Sequence, residues 1–273
     1  MRWVVRVGLG LLAVIVLGVG LMAMIPSERV AALLAARFED MTGRRMDITG
    51  GASPRLWPSL GVTTGPVSIE NARWSDSGEP LFEAAGLSVD INLGALIGGE
   101  VRIKGIEAIS PVINLERTRS GKENWDFGTS RRDDEDEDED EDSFQGAVTA
   151  FTLDEGRIRG GSIRFTDAAA DRTIALDDID ATLAVPDASG PFGLTAEALS
   201  NGQPVAMELT GDGFFAFLSG RAVPVKLRLS AGESIVAFEG RGGFSPLTAK
   251  GAMAANLSDL PALGGLWGAE LSR

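Results

Sequence analysis

The sequence contains no histidine, no cysteine and no tyrosine among its 273 residues. The absence of cysteine excludes disulfides and thiolate sites, and cysteine usage therefore gives no indication of the redox compartment. The absence of histidine removes the commonest general base and the commonest transition-metal ligand. No Gly-x-Ser-x-Gly nucleophile motif is present either. We therefore predict that the protein is not an enzyme and uses no cofactor and no catalytic metal.

Basic residues are also scarce, with 25 lysines and arginines against 39 aspartates and glutamates, and the formal net charge is −14. The acidity is local, because Asp133 to Asp142 are ten consecutive carboxylates without which the net charge would be −4. A nucleic-acid partner needs a basic face, which this balance does not favour. We predict that the protein does not bind nucleic acid.

The ten carboxylates form the centre of a low-complexity segment, residues 129–143. Adjacent like charges repel one another and bury no apolar surface, so a disordered linker is expected. A calcium site is the alternative, but calcium loops space their oxygen ligands around turns, commonly with a glycine. Because the run has no such spacing, we interpret it as a solvated linker that folding does not require.

The longest uncharged apolar stretch is Val7 to Ile25, with 19 residues. As a helix it would be about 28 Å long, close to the roughly 30 Å hydrocarbon core of a bilayer. Arg2 and Arg6 precede it, which favours a cytoplasmic N-terminus and export of the residues that follow. A cleaved signal peptide is the alternative, but the stretch exceeds a signal core of about 7–15 residues and runs into Pro26 without a clear cleavage site. We interpret residues 1–26 as an uncleaved transmembrane anchor.

A short amphipathic helix is expected directly after the anchor. Ser27 can cap its start, Glu28 lies near its positive end, and Gly43 can end it. The apolar residues between them recur at helical spacing and share one face: Val30, Leu33, Leu34, Phe38 and Met41. We expect this face to pack on the first strands of the domain that follows.

From Met46 onward the apolar residues recur with a period of two. This alternation marks strands with one apolar and one wet face, as in antiparallel sheets. Clusters of Gly, Pro, Asn and Asp separate the strands. The pattern by itself equally fits a β-sandwich, in which the apolar side packs on a second sheet. The clearest alternating stretches are residues 87–93, 101–104, 113–116, 162–166, 205–209 and 225–230.

Two stretches of the sequence carry an ordered set of motifs. Phe82 to Phe127 contains in order an alternating strand, a Leu-Leu-type turn ending in glycine, a strand, a proline-anchored strand, and Gly-x-x-Asn-Trp at Gly121 to Trp125. Gly160 to Asp167 contains Gly-x-Ile-x-Phe-x-Asp. Together with the anchor, the helix and Thr42-Gly43-Arg44, these motifs resemble, in content and order, the AsmA family of inner-membrane-anchored envelope proteins, in which the second motif follows a variable linker. Because family members are commonly much longer, we expect a short member or a fragment.

The resemblance implies a mainly β fold, in which an N-terminal transmembrane helix and a short amphipathic helix precede a curled antiparallel β-sheet groove. It implies a single-pass protein of the bacterial inner membrane, with a cytoplasmic N-terminus and a periplasmic bulk. The expected divisions are residues 1–26 for the anchor, 27–128 for the helix and first part of the sheet, 129–143 for the acidic linker, and 144–273 for the continuing sheet.

The resemblance also implies a partner, phospholipid, whose acyl chains the groove shelters, and a role in outer-membrane biogenesis and lipid homeostasis. The alternative is a non-enzymatic assembly factor that influences outer-membrane protein assembly. Asp167 is the acid most worth weighing for catalysis, but its place after a strand favours turn capping. The positions expected to face lipid lie on the apolar side of the predicted strands: Leu87, Val89, Ile91, Val101, Ile103, Ile113, Leu115, Ile163, Phe165, Val225, Leu227 and Leu229.

Overall fold

The structure is a computed structural model that describes residues 27–55, 60–92, 103–127, 152–187, 189–244, 247–259 and 264. The predicted anchor, the acidic linker and Val101 lie outside the described residues. Within the described ranges, no helix is long and apolar enough to cross a membrane. The transmembrane anchor therefore remains a prediction.

The described chain begins with a helix, which packs against the two short strands that follow it. Helix α1 spans Ser27–Thr42, strand β1 spans Met46–Ile48 and strand β2 spans Ala52–Arg55. The helix ends as predicted, at Gly43, which has a φ of +66° and whose amide donates to Glu39 O at 2.7 Å.

The predicted packing face of α1 is wrong at Leu33, whose side chain is 71% exposed, whereas Ala31 is buried. The helix approaches the start of β2 so closely that a Cβ added to Gly51 would lie 2.6 Å from Ser27 Oγ. Such a short separation favours small side chains on the packed face. The periodicity of large apolar residues could not reveal that Ala31 rather than Leu33 is buried.

The described residues after β2 contain thirteen further strands and a short helix, α2. Their bounds are β3 Leu60–Thr64, β4 Val67–Ile69, β5 Phe82–Ala84, β6 Gly86–Ile91, β7 Ile103–Ile109, β8 Val112–Arg117, β9 Leu153–Asp167, β10 Arg172–Val185, β11 Pro191–Ser200, β12 Gln203–Asp212, α2 Phe214–Leu218, β13 Val223–Ala231, β14 Ser234–Gly243 and β15 Thr248–Asn256.

All fifteen strands belong to one sheet. The first eight strands form four lines of the sheet, and each line consists of two short strands placed end to end: β1 and β2, β3 and β4, β5 and β6, β7 and β8. The two strands of each line pair with the two strands of the next line. Between β7 and β8 the break falls at Ser110, with a φ of +46°, and the buried Pro111, which cannot donate to a ladder. From β9 onward each strand pairs with the next along the chain.

One neighbour relationship departs from the predicted antiparallel order. Strands β7 and β8 both pair with β9 in parallel, with Ile103 opposite Leu153 and Arg117 opposite Asp167. Every other described pair is antiparallel. The chain between Arg117 and Leu153 must therefore return along the full length of the strands, and the predicted acidic linker lies in this connection.

The sheet is open, with β1 and β2 at one edge and β15 at the other. The described strands form one sheet rather than two facing sheets, so the sandwich alternative is wrong for this part of the chain. An open sheet and a β-sandwich both require alternation of apolar and polar residues, so alternation alone could not distinguish them. A core cluster of Leu153, Val185, Phe192 and Val225 lies on one side of this sheet.

Candidate functional site

One face of the sheet presents apolar side chains from its first edge to its last, and we call it the apolar face. Its central row consists of residues that lie directly opposite one another in successive strands, and none of them is polar. The row runs through Pro54, Val62, Val89, Ile106, Gly156, Leu183, Leu194, Leu209, Leu227, Phe238 and Met253. At about 4.8 Å between strands, the row is on the order of 50 Å long.

The structure brings the predicted lipid-facing residues together on this face. Eleven of the twelve predicted positions are described, and the strand registers place all eleven on the apolar face. Ten of these eleven side chains are only half-buried, and Val225 alone is buried. The eleven are Leu87, Val89, Ile91, Ile103, Ile113, Leu115, Ile163, Phe165, Val225, Leu227 and Leu229.

The opposite face of the sheet is polar and carries ion pairs between neighbouring strands. Lys226 Nζ lies 2.9 Å from Glu239 Oε1, and Arg159 Nε lies 2.6 Å from Glu107 Oε1. All four side chains are at least one-third exposed. Ion pairs this exposed contribute little to stability, so this face is a solvated surface that leaves the other face to the apolar residues.

Helix α2 covers one end of the apolar face and lines a partly open cavity of about 440 Å³ beneath it. Phe192 contacts the rings of Phe214 and Phe217, with centroid separations of 5.4 Å and 5.5 Å. Leu209, Leu227 and Phe238 of the central row also line the cavity. The row therefore leads from an open surface into a partly enclosed apolar cavity.

Sequence reasoning missed this cavity and its helix. The signal that could have found them is the run Gly-Phe-Phe-Ala-Phe-Leu at residues 213–218, whose aromatic density is unusual in a chain with 6% aromatic residues. Alternation of apolar residues describes strands, and a five-residue helix is too short to show a helical period.

The segment after β8 folds back over the other end of the apolar face. The ring of Trp125 meets the ring of Phe165 edge-on at a centroid separation of 5.8 Å. Phe165 is one of the predicted lipid-facing residues, so its ring already has a protein neighbour.

A buried asparagine explains the Asn-Trp pair of the motif. Asn124 is fully buried, and its Nδ2 donates to Asn71 Oδ1 at 2.9 Å and to Asn114 O at 2.7 Å. Its Oδ1 accepts the Glu116 amide at 2.8 Å. Every polar atom of this side chain is satisfied, so Asn124 fixes the segment that carries Trp125 onto β8.

Arg44 connects this segment to helix α1. Its Nη2 donates to Asn124 O at 3.1 Å, and its guanidinium lies 5.9 Å from the ring centroid of Phe127. Burial, assisted by the nearby Arg73, lowers the pKa of Arg44 below its ordinary value. The Thr42-Gly43-Arg44 motif thus ends the helix and holds it to the segment that covers Phe165.

Asp167 caps a turn, as the sequence predicts. Its Oδ1 accepts the amides of Ala169 at 3.1 Å and Ala170 at 3.2 Å. Its Oδ2 lies 3.6 Å from Arg117 Nη1. Both oxygens are therefore engaged in holding the end of β9.

Of the comparisons with known proteins, the family comparison finds a match. No curated protein and no solved structure matches the chain. The model of the AsmA family matches residues 3–239, which is most of the sequence, including both stretches that carry the motifs described above. The chain therefore belongs to the AsmA family.

Proposed function

We propose that this protein is held in the bacterial inner membrane by its N-terminal segment and shelters phospholipid acyl chains on its apolar face in the periplasm. In this way it supports outer-membrane biogenesis and lipid homeostasis. The observation that carries the proposal is the central row, which crosses the sheet from Pro54 to Met253 without a polar residue and has no second sheet packed on it in the described part of the chain.

Half-exposed apolar side chains in such a row favour an apolar ligand on energetic grounds. Soluble proteins rarely leave a contiguous apolar patch larger than a few hundred Å² uncovered. Removing apolar area from water contributes about 25 cal/mol per Å². An acyl chain lying along the row would cover the side chains that the sheet itself leaves half-exposed.

The chemistry of the row also indicates which part of a phospholipid it would contact. Because the row lacks charged and hydrogen-bonding side chains, it has nothing with which to recognise a headgroup. Charged residues next to the row, such as Lys226 and Glu239, lie on the opposite face. The ion pair of Arg117 and Asp167 lies beside Phe165 of the apolar face, but it is at the end of the strands and away from the row. We propose that the sheet holds acyl chains and leaves headgroups in water.

A second candidate function is a non-enzymatic assembly factor that influences outer-membrane protein assembly. The observation that favours it is the exposed apolar surface near β15, where Leu247 is 81% and Met253 is 71% exposed. Such a surface fits a protein partner as well as a lipid. In either case we propose that the protein carries out no reaction and binds no nucleic acid.

Photo-crosslinking in the full chain tests the proposal. A photoreactive amino acid at Leu227 or Leu229 is expected to yield lipid adducts in membranes, whereas the same group at Arg228 is expected to yield none. The three positions lie on one strand, so expression and folding are matched. Equal labelling from both faces, or protein adducts alone from Leu227 and Leu229, would contradict the acyl-chain proposal.

A further inference from the structure

Among the described residues, strand β15 is an edge of the sheet with no strand or helix beside it on its outer side. All nine of its residues, Thr248–Asn256, are exposed, and it pairs with β14 without a register shift. It contains one charge, at Lys250, and no proline. The free N–H and C=O groups of such an edge are a template for another strand, and native proteins usually blunt them.

The opposite edge, formed by β1 and β2, has protective features that β15 lacks. Strands β1 and β2 are only three and four residues long, and β2 contains Pro54. Gly50 and Gly51, with φ of +78° and +80°, interrupt the line between the two strands. Helix α1 packs beside them, with Ala31 buried. Of the two edges in the described part of the chain, β15 is therefore the one open to pairing with another strand.

Exposed apolar side chains are concentrated around the same edge. Phe244, Leu247, Met253 and Leu257 are 59%, 81%, 71% and 51% exposed. The described chain that follows β15 does not cover them, because it turns inward, where the Asp259 amide donates to Ser234 Oγ at 2.7 Å.

We propose that β15 pairs with β15 of a second copy of this chain, antiparallel and about a twofold axis at Ala252. In this register Leu247 lies opposite Leu257 of the second copy, and this contact occurs twice. Met253 lies opposite Gly251, whose lack of a side chain leaves room for it. Lys250 lies opposite Ala254, so that no two like charges meet across the seam. The edge is thus complementary to itself.

The pairing would join the two apolar faces. A twofold axis perpendicular to the sheet keeps the same face of both copies on the same side. The central row that ends at Met253 then continues into the second copy. The dimer does not depend on what the face binds, so it can be tested separately from the acyl-chain proposal.

Single cysteines test the register, because the chain contains no cysteine of its own. Directly opposed residues of an antiparallel pair have Cα atoms about 4.5–5.5 Å apart, within the range that a disulfide spans. Ala252→Cys in the full chain, solubilised in detergent, is expected to form a disulfide-linked dimer under mild oxidation. Ala249→Cys alone is expected to give none, because its two copies would lie about 20 Å apart. A mixture of Ala249→Cys with Ala255→Cys is expected to cross-link.

The mass of the detergent-solubilised chain, measured by light scattering, is the second test. The wild type is expected to have the protein mass of two 28.6 kDa chains. The double variant Leu247→Lys, Leu257→Lys would place like charges opposite each other and is expected to weaken the dimer at least tenfold. Leu247→Glu, Leu257→Lys is expected to restore it, and Leu33→Lys, at an equally exposed leucine, is expected to change nothing.

Three results would overturn the proposal. A monomeric wild type that fails to cross-link at Ala252→Cys would exclude the dimer, and protection of that cysteine from a soluble maleimide would show that another segment covers the edge. Equal cross-linking of Ala252→Cys and Ala249→Cys would indicate random collision. A dimer unaffected by the paired lysines would place the interface elsewhere.

Discussion

The guanidinium of Arg117 lies over the ring of Phe165, 5.5 Å from its centroid, while its Nη1 lies 3.6 Å from Oδ2 of Asp167. Arg117 and Asp167 are directly opposite each other in the parallel pair of β8 and β9. One arginine therefore contacts both an aromatic ring of the apolar face and the buried carboxylate that ends β9. The parallel junction of the sheet is held at this end by charge, stacking and turn capping together.

We expect Asp167→Ala to destabilise the fold by about 1–3 kcal/mol, because the amides of Ala169 and Ala170 lose their acceptor. Asp167→Asn keeps an acceptor oxygen at that position and is expected to cost less. Chemical denaturation of both variants measures the difference in the free energy of unfolding. Equal losses would mean that charge pairing with Arg117, rather than turn capping, is what the side chain contributes.

We expect Asn124→Ala to cost roughly 2–4 kcal/mol in the free energy of unfolding. The substitution leaves the Glu116 amide without its partner and removes two donated hydrogen bonds from a fully buried site. Asn256→Ala, at an exposed position on β15, is the matched control and is expected to change stability by less than about 0.5 kcal/mol. Similar effects of the two substitutions would contradict the role given to Asn124.

A charge on the apolar face is expected to block acyl-chain binding without unfolding the protein. Ile103→Glu places a carboxylate on that face at a half-buried position, and Lys104→Glu places one on the opposite face. Phospholipid that co-purifies with the protein is expected to fall severalfold in the first variant and to stay unchanged in the second. If Ile103→Glu simply unfolds, as circular dichroism would reveal, the position belongs to a filled core.

The length of the connection before β9, rather than its charge, is expected to matter for folding. Trp125 contacts Phe165 near the end of β9, whereas β9 begins at Leu153. A strand of 15 residues is about 50 Å long. Deleting Asp133 to Asp142 would reduce the 24 residues between Phe127 and Thr152 to 14, which span at most about 50 Å when fully extended.

Replacing those ten carboxylates with glycine and serine is therefore expected to leave the melting temperature unchanged. Deleting them is expected to lower it, and a cost of about 2 kcal/mol corresponds to roughly 4–8 °C for a domain of this size. This revises the expectation from sequence alone, that the run is dispensable altogether. Equal melting temperatures for the deletion and the replacement would remove the length requirement.

The membrane topology has its own test. Arg2 and Arg6 before the uncharged segment favour a cytoplasmic N-terminus and a periplasmic location for everything after about Pro26. A reporter that works only in the periplasm, fused after Phe127, is expected to be active, and one that works only in the cytoplasm is expected to be silent. The reverse pattern would overturn the topology.

The strands and their faces could be predicted from sequence because a period of two specifies both at once. Leu227 and Leu229 alternate with Lys226 and Arg228, and this alternation alone places the leucines on one side of β13. Residues that meet across the sheet are not encoded in this way. Leu227 lies opposite Leu209 and Phe238 only because the turns of the meander set the register.

The parallel pairing of β7 and β8 with β9 could not be predicted, because no local sequence pattern indicates to which end of the sheet the long connection before β9 returns. The openness of the sheet was equally hidden, since a half-exposed Ile113 and a core isoleucine follow the same alternation. Helix α2 is held on the apolar face by the contacts of Phe192 with Phe214 and Phe217. These contacts join residues that are distant in the sequence, so no local pattern predicts them. The resemblance to the AsmA family favoured the open sheet over the sandwich.

In the part of the chain that the structure describes, each strand from β10 to β14 pairs only with the strand before it and the strand after it, and β15 only with β14. Under a pulling force applied at the C-terminal end, such a sheet should therefore peel, and one hairpin arm after another should release from β15 inward. The force trace would be a series of small peaks rather than one cooperative rupture, until the load reached β9, which two strands hold on one side and one on the other.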